Sequence, residues 1–276
     1  MTYALEIEGL TKSFGDKTVV NDVSFSVETG DMFGLLGPNG SGKTTTIRTA
    51  LGILRPDSGV IRLLNGLPAS EALPRVGYLP EERGLLRKEK VSNILRFLGR
   101  LRGLSKDEAL DRGLELLHRV GLYEHRDKKV ESLSRGMTQL VQFVVALIHH
   151  PELVILDEPF SGLDPLNVQL MKEILAAEQA RGATVIFSTH VLSDVEEMCE
   201  RVALIADSRL VLYGDLAEIR RSRGANAVVV EAPSHPDTPC RTTARRYSRG
   251  GRVSPKRRSH TRGNSQDLRC SRNRTF

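Results

Sequence analysis

Cysteine is scarce in this chain, and so are long apolar runs. Of its three cysteines, Cys240 and Cys270 lie close to the C-terminus. That leaves Cys199 alone in the body, and one thiol cannot form an internal disulfide framework; a reducing, cytosolic setting is the expectation. The longest apolar stretch, "LVQFVVALI", is broken by Gln142 and falls far short of the about twenty residues that cross a bilayer. The start, "MTYALEIEGL", lacks a basic segment followed by an apolar one. The chain is therefore expected to be neither secreted nor membrane-spanning by itself.

Acidic residues are sparse only at one end. The formal net charge of +6 suggests a nucleic-acid or membrane-surface protein. Yet residues 235–276 hold twelve Lys and Arg against two Asp, so this tail carries +10 and the rest of the chain −4. The body is mildly acidic, and no nucleic-acid partner is expected for it. The tail also lacks aliphatic residues, with only Val253 and Leu268, and cannot bury enough surface to fold alone. It reads as a basic, disordered extension. Because composition changes abruptly after Ser234, a second reading stays open. Residues 226–234, "NAVVVEAPS", would start a small C-terminal β-element whose continuation was truncated or replaced by out-of-frame translation.

What is present has a clear order. "ALEIEGLTKSF" and "TVVNDVSFSVETG" alternate apolar and polar residues around Gly15-Asp16, which predicts antiparallel strands with a turn. "DMFGLLG" reads as a buried strand, "GKTTTIRTALGIL" as a helix and "GVIRLLNG" as a further strand. Apolar spacing of three and four through Ile94, Leu95, Leu98, Leu101, Leu110, Leu114 and Leu117 predicts helices, with Ser105 and Glu108 as a capping pair. A helix from Gln139 to His149 follows. Then come the strand "ELVILDE", a helix over about 165–181, the strand "ATVIFSTH", the helix "VLSDVEEMCE" and the strands "RVALIADSRLVLYG". Full-apolar strands alternating with helices indicate an α/β fold whose sheet is covered on both faces. The helical stretch over about 85–130 interrupts that alternation as an inserted subdomain.

"GPNGSGKTT" matches the phosphate-binding pattern G-x-x-x-x-G-K-[ST] through Gly37, Gly42, Lys43 and Thr44, between a predicted strand and a predicted helix. Such a loop, with Pro38 at its bend, curls so that the N–H groups of Gly37, Asn39, Gly40, Ser41, Gly42 and Thr45 surround a polyanion. Lys43 would neutralise β- and γ-phosphate charge, and the Thr44 hydroxyl can ligate Mg²⁺. "LVILDEP" ends in two acids: Asp157 is expected on a strand neighbouring the loop strand, placed to hold the metal shell, with Glu158 one residue further out to polarise a water. His190, at the end of the adjacent strand, would reach the same phosphate.

These elements permit many phosphate-loop NTPases, and "SLSRGMTQL", residues 132–140, narrows the choice. Taken in order, "GPNGSGKTT", "LSRGM", "ILDEP", "SGLD" and "STH" resemble the nucleotide-binding subunit of an ATP-binding cassette (ABC) transporter, over residues 3 to about 220. The resemblance implies a phosphate-loop core with a mixed, mostly parallel sheet, an N-terminal antiparallel β-subdomain and a helical insert, within an ATPase domain of residues 1–225. It implies hydrolysis of ATP with Mg²⁺ by Glu158, His190 and Lys43. It further implies a head-to-tail dimer, homomeric or heteromeric, in which Ser134 and Gly136 touch the γ-phosphate held by the second ATPase subunit and Asp164 crosses the interface. Phe14 would stack on adenine, and Glu81 stands where the family usually places a glutamine that reaches Mg²⁺. Glu81 in "YLPEERGL" and Arg135 in the signature loop depart from the usual pattern and resemble bacterial sodium- and drug-efflux ATPase subunits. The expected setting is the cytoplasmic face of a bacterial membrane, where the helical insert meets a separate transmembrane permease. Two competing readings are a soluble ABC ATPase acting on nucleic acid or ribosomes, and a cassette that binds ATP without turnover.

Overall fold

A computed structural model describes residues 2–82 and 84–223; the expected β-element at 226–234 and the basic tail at 235–276 lie outside them. Strands β1 (Tyr3–Phe14) and β2 (Lys17–Glu28) form a hairpin, and β4 (Ser58–Leu63) pairs antiparallel with β1 to complete a three-stranded sheet. The second sheet has six strands. In spatial order these are β5 (Val76–Leu79), β6 (Leu153–Asp157), β7 (Thr184–Thr189), β3 (Met32–Leu36), β8 (Arg201–Ala206) and β9 (Arg209–Asp215). The first five are parallel, and β9 returns antiparallel through Asp207 and Ser208, both at positive φ as a tight hairpin turn requires. The result is an α/β fold with a mixed, mostly parallel sheet and an N-terminal antiparallel sheet.

Strand periodicity divides the core. Val154 and Leu156 of β6, with Val185 and Phe187 of β7, face the cluster that holds Leu95, Leu117, Phe143 and Leu175. Leu153, Ile155, Ile186, Phe33 and Leu35 face the other way, onto Ile47 and the inner side chains of β1 and β2. Strands buried on both faces read as unbroken apolar runs, which is why "LVIL" and "TVIF" carry no alternation.

Eight helices are described: α1 (Lys43–Ala50), α2 (Ala69–Ala72), α3 (Val91–Leu101), α4 (Lys106–Arg119), α5 (Arg135–Leu147), α6 (Pro165–Ala180), α7 (Leu192–Met198) and α8 (Leu216–Arg223). Helix α4 opens on a full capping box, with Ser105 accepting from the Glu108 amide and Glu108 from that of Ser105. Helix α5 starts four residues before the apolar spacing places it, because its first turn, "RGMT", carries a cap and no apolar period. β5 and α8 escape the sequence patterns, the first being only four residues long and the second short and mostly polar. No helix among the described residues is long and apolar enough to cross a membrane.

One expectation needs correction. β6, which bears Asp157, does not adjoin β3; β7 lies between them. Apolar runs do not encode spatial order, and β7 is the later of the two in sequence. The carboxyl ends of β3, β6 and β7 still open on one edge of the sheet, where ligands of open parallel sheets bind.

Candidate active site

The loop after β3 is shaped by steric limits at two glycines. A Cβ on Gly37 would stand 2.1 Å from the Ile205 carbonyl oxygen, and one on Gly42 would stand 2.5 Å from that of Val19. Gly42 also sits at φ 109°, a conformation that side-chain-bearing residues avoid. The loop thus lies tight against β8 and β2 and runs directly into α1. Lys43 is buried, its Nζ donating to the carbonyls of Gly37 at 2.7 Å and Pro38 at 3.2 Å. The Ser41 hydroxyl is buried without a hydrogen-bond partner.

Two residues beyond this loop complete a compact cluster. Glu158 is buried and stands in the left-handed region at φ 48°, a strained backbone for any residue that carries a side chain. The Ser188 hydroxyl of β7 holds it there by accepting the Glu158 N–H at 3.0 Å. Its carboxylate reaches both neighbours: Oε1 lies 3.3 Å from Lys43 Nζ, and Oε2 pairs with His190 Nδ1 at 3.0 Å. Oε1 makes no hydrogen bond. His190, just past the end of β7, leaves 46% of its side chain exposed, so one face of the pair is open to solvent.

Asp157 lies deeper. Ser188 Oγ donates to its Oδ1 at 2.5 Å, while Oδ2 is buried without a partner. Burial pushes its carboxyl above the usual value, and the Ser188 hydrogen bond pulls it back in part. An unpartnered buried carboxylate oxygen near the loop is a group waiting for a cation or donor. Among the described residues no three His, Cys, Asp or Glu side chains gather as a metal centre. The donors at hand, Asp157 and the Thr44 hydroxyl, are oxygens, which suit a hard divalent ion that keeps waters and substrate oxygens as its other ligands.

A cleft of about 290 Å³ joins these parts, lined by Asn39, Gly40, Gly42, Lys43, Thr44, Thr45, Glu81 and Glu158. Glu81, exposed after β5, thus faces the same space. A second cavity, about 380 Å³, lies beside it against Arg135, Gln139, Glu82 and Ser161, with Glu81 and Glu158 shared. Arg135 therefore faces the acids of its own chain in this structure.

Four candidate residues stand apart from the loop, the cleft and the acid–histidine cluster. Ser134 caps α5 by accepting from the Met137 amide at 3.2 Å and is exposed. Gly136 follows in the first turn, where a Cβ would come within 3.3 Å of Leu163. Asp164 caps α6 through the Asn167 amide at 3.0 Å, which holds its carboxyl below the usual range. Phe14 ends β1 half-exposed, with the Lys12 ammonium 5.5 Å from its ring centre. Sequence reasoning missed Ser188, which serves Asp157 and Glu158 at once. Its signal was a hydroxyl at the end of the otherwise apolar "TVIFS", overshadowed by the histidine after it.

Comparisons with known proteins place the chain in a family. A family profile described as ABC transporter matches residues 20–161, half of the chain. An uncharacterized ABC transporter ATP-binding protein of Methanocaldococcus jannaschii is 44% identical over 217 residues, covering 79% of this chain and 79% of its own. The Nod factor export ATP-binding protein I of Paraburkholderia xenovorans is 40% identical over 215 residues, 76% of this chain and 70% of its own. A solved structure described as the ATP binding subunit of an ABC transporter superposes with a TM-score of 0.75 at 33% identity, covering 80% of this chain and 93% of that one.

Proposed function

The chain belongs to the ABC transporter family, whose ATP-binding cassette hydrolyses ATP, and on that premise we propose that it powers export through a head-to-tail ATPase dimer and a separate transmembrane permease. The observation that carries the catalytic reading is the buried Glu158, with Lys43 at 3.3 Å on one oxygen and His190 at 3.0 Å on the other. In this reading the triphosphate enters the cleft over the loop of residues 37–45 and takes the Lys43 donors now spent on the Gly37 and Pro38 carbonyls. Glu158 accepts the proton of a water that attacks the γ-phosphorus, while His190 holds the carboxylate in line and faces the departing charge. Thr44 and Asp157, with Glu81 at the edge, would hold Mg²⁺, which would supply neutralisation of phosphate charge.

Ser134 and Gly136 lie outside the cleft, and Ser134 sits at an exposed helix N-terminus whose free amides and dipole favour an anion. This supports their pairing with nucleotide on a second copy or a related subunit, across an interface that includes Asp164; Phe14, half-exposed, would stack on adenine. The ATPase domain is assigned to residues 1–225, with the segment over about 85–130 against the permease at the cytoplasmic face of a bacterial membrane. The Nod factor export relative, 40% identical, supports export as the direction. The test is Glu158→Gln, expected to bind ATP, lose hydrolysis by a factor on the order of 10³ and accumulate as a nucleotide-bound dimer. Ordinary turnover in that variant would sink the role of Glu158. Ser134→Arg should abolish hydrolysis and leave ATP binding to the monomer intact; lost binding would mean that the loop is misplaced.

A further inference from the structure

Lys172, the single lysine of α6, is buried, and the family motifs do not reach it. Its Nζ pairs with Asp194 Oδ1 at 2.9 Å and Glu197 Oε2 at 2.7 Å, both on α7. The same ammonium lies 5.5 Å above the ring centre of Phe160. Phe160 packs edge-on against Phe187, centroids 5.6 Å apart. These contacts converge from both sides on the reacting pair: Phe160 is two residues after Glu158, Phe187 three before His190, and Asp194 four after it.

Besides Lys172, helix α7 is anchored by Val195, by partly buried Met198 and by the surface ion pair of Glu196 with Arg220 at 2.7 Å. It spans seven residues, its N-cap is Val191 with no side-chain cap, and Val195 is its one buried side chain. Short helices without caps fray unless tertiary contacts hold them. Glu158, for its part, keeps a left-handed backbone that persists only where the surroundings over-determine it. A single buried cation touches the segment behind each residue.

We propose that Lys172 is a positioning residue that ties the Phe160 segment to α7 and so fixes the Glu158–His190 pair in its hydrolytic geometry. The proposal rests on the reading of Glu158 and His190 given above. Its energetic basis is the cost of an unpaired buried charge: without the ammonium, the mostly buried Asp194 is left to find water, and α7 moves to let it. A displacement of about an ångström at a reacting group is enough to slow chemistry by a factor of up to about 10².

The test compares the full chain with Lys172→Met, Lys172→Arg and Glu158→Gln by phosphate release over a range of ATP concentrations, with Tm recorded for each. Lys172→Met is expected to lower kcat on the order of tenfold with KM for ATP within twofold, and Lys172→Arg, which can still engage two carboxylates, to recover most of the loss. An unaltered kcat in Lys172→Met would overturn the proposal, as would an equal fall in both variants that tracks Tm. Where Lys172→Met does not fold, Asp194→Asn serves: it removes one of the two ion pairs, and an unchanged kcat there overturns the clamp. Turnover kept by Glu158→Gln would instead overturn the base assignment, a failure separate from an unaltered kcat in Lys172→Met.

Discussion

Ser188→Ala should be far more damaging than the loss of one hydroxyl suggests. The side chain is fully buried, donates to Asp157 Oδ1 at 2.5 Å and accepts the Glu158 amide at 3.0 Å. Alanine fits the space and removes the bond that each partner makes to the hydroxyl. A buried group so deprived costs about 1–3 kcal/mol, with a charged acceptor at the upper end, so the pair comes to about 4 kcal/mol at neutral pH. For a domain of this size each kcal/mol lowers Tm by roughly 2–4 °C, which puts the fall at roughly 8–16 °C. The loss also depends on pH, with a definite sign. Asp157 has a folded-state pKa raised by burial, and Ser188 restrains that rise. A carboxyl with a raised folded pKa contributes stability that is fully present below its unfolded pKa and is lost as pH rises through the folded one. Removing Ser188 raises the folded pKa further and deepens that loss, so the penalty should shrink toward about 1–2 kcal/mol, the amide share, as pH approaches the usual carboxylate range near 4. Guanidinium unfolding of both proteins at neutral and acid pH, compared at constant m, measures this directly. Equal penalties at the two pH values, or a neutral-pH penalty under about 1 kcal/mol, would refute the reasoning.

Gly42→Ala should lower both stability and ATP affinity, because the new Cβ meets the Val19 carbonyl at 2.5 Å and φ 109° is strained for alanine; the cost is about 1–3 kcal/mol, and an unchanged Tm and nucleotide affinity would show the loop to be looser than this. His149 offers a second pH test. Burial first, and then the nearby Arg102, lower its pKa from 6.5 to about 4. The unfolded chain therefore takes up a proton below 6.5 that the folded one refuses, and stability present above that pH is lost as pH falls through about 4, by roughly 3 kcal/mol in full. An imidazole NMR titration of His149 with its midpoint near 6.5 would overturn that environment.

The parts of this molecule that were legible in its sequence are those where local geometry dictates residue type. Only glycine tolerates the backbone of Gly42, only a short oxygen-bearing residue caps α5 or α6 as Ser134 and Asp164 do, and only unbroken apolar runs can fill strands buried on both faces. Strand order was not legible in the same way. "LVILDE" and "ATVIFSTH" are equivalent as patterns, so nothing in them says that β7 separates β6 from β3. Lys172 and Ser188 escaped for the same reason seen from the side-chain level. A lysine in a helix normally reads as a solvated face, and a serine at a strand end as a turn; each becomes informative only when β7 is seated beside β6 and α7 packs near α6. Then Ser188 meets two consecutive acids of another strand, and Lys172 meets two acids of another helix across a phenylalanine ring. The residues proposed to bear the chemistry are legible by motif because the proposed task fixes their type. The residues that hold them in place are not, because that task can be done by any group the fold happens to bring there. It follows that Lys172→Arg should be tolerated where Lys43→Arg, in a loop whose carbonyls already grip the ammonium at 2.7 Å, should not.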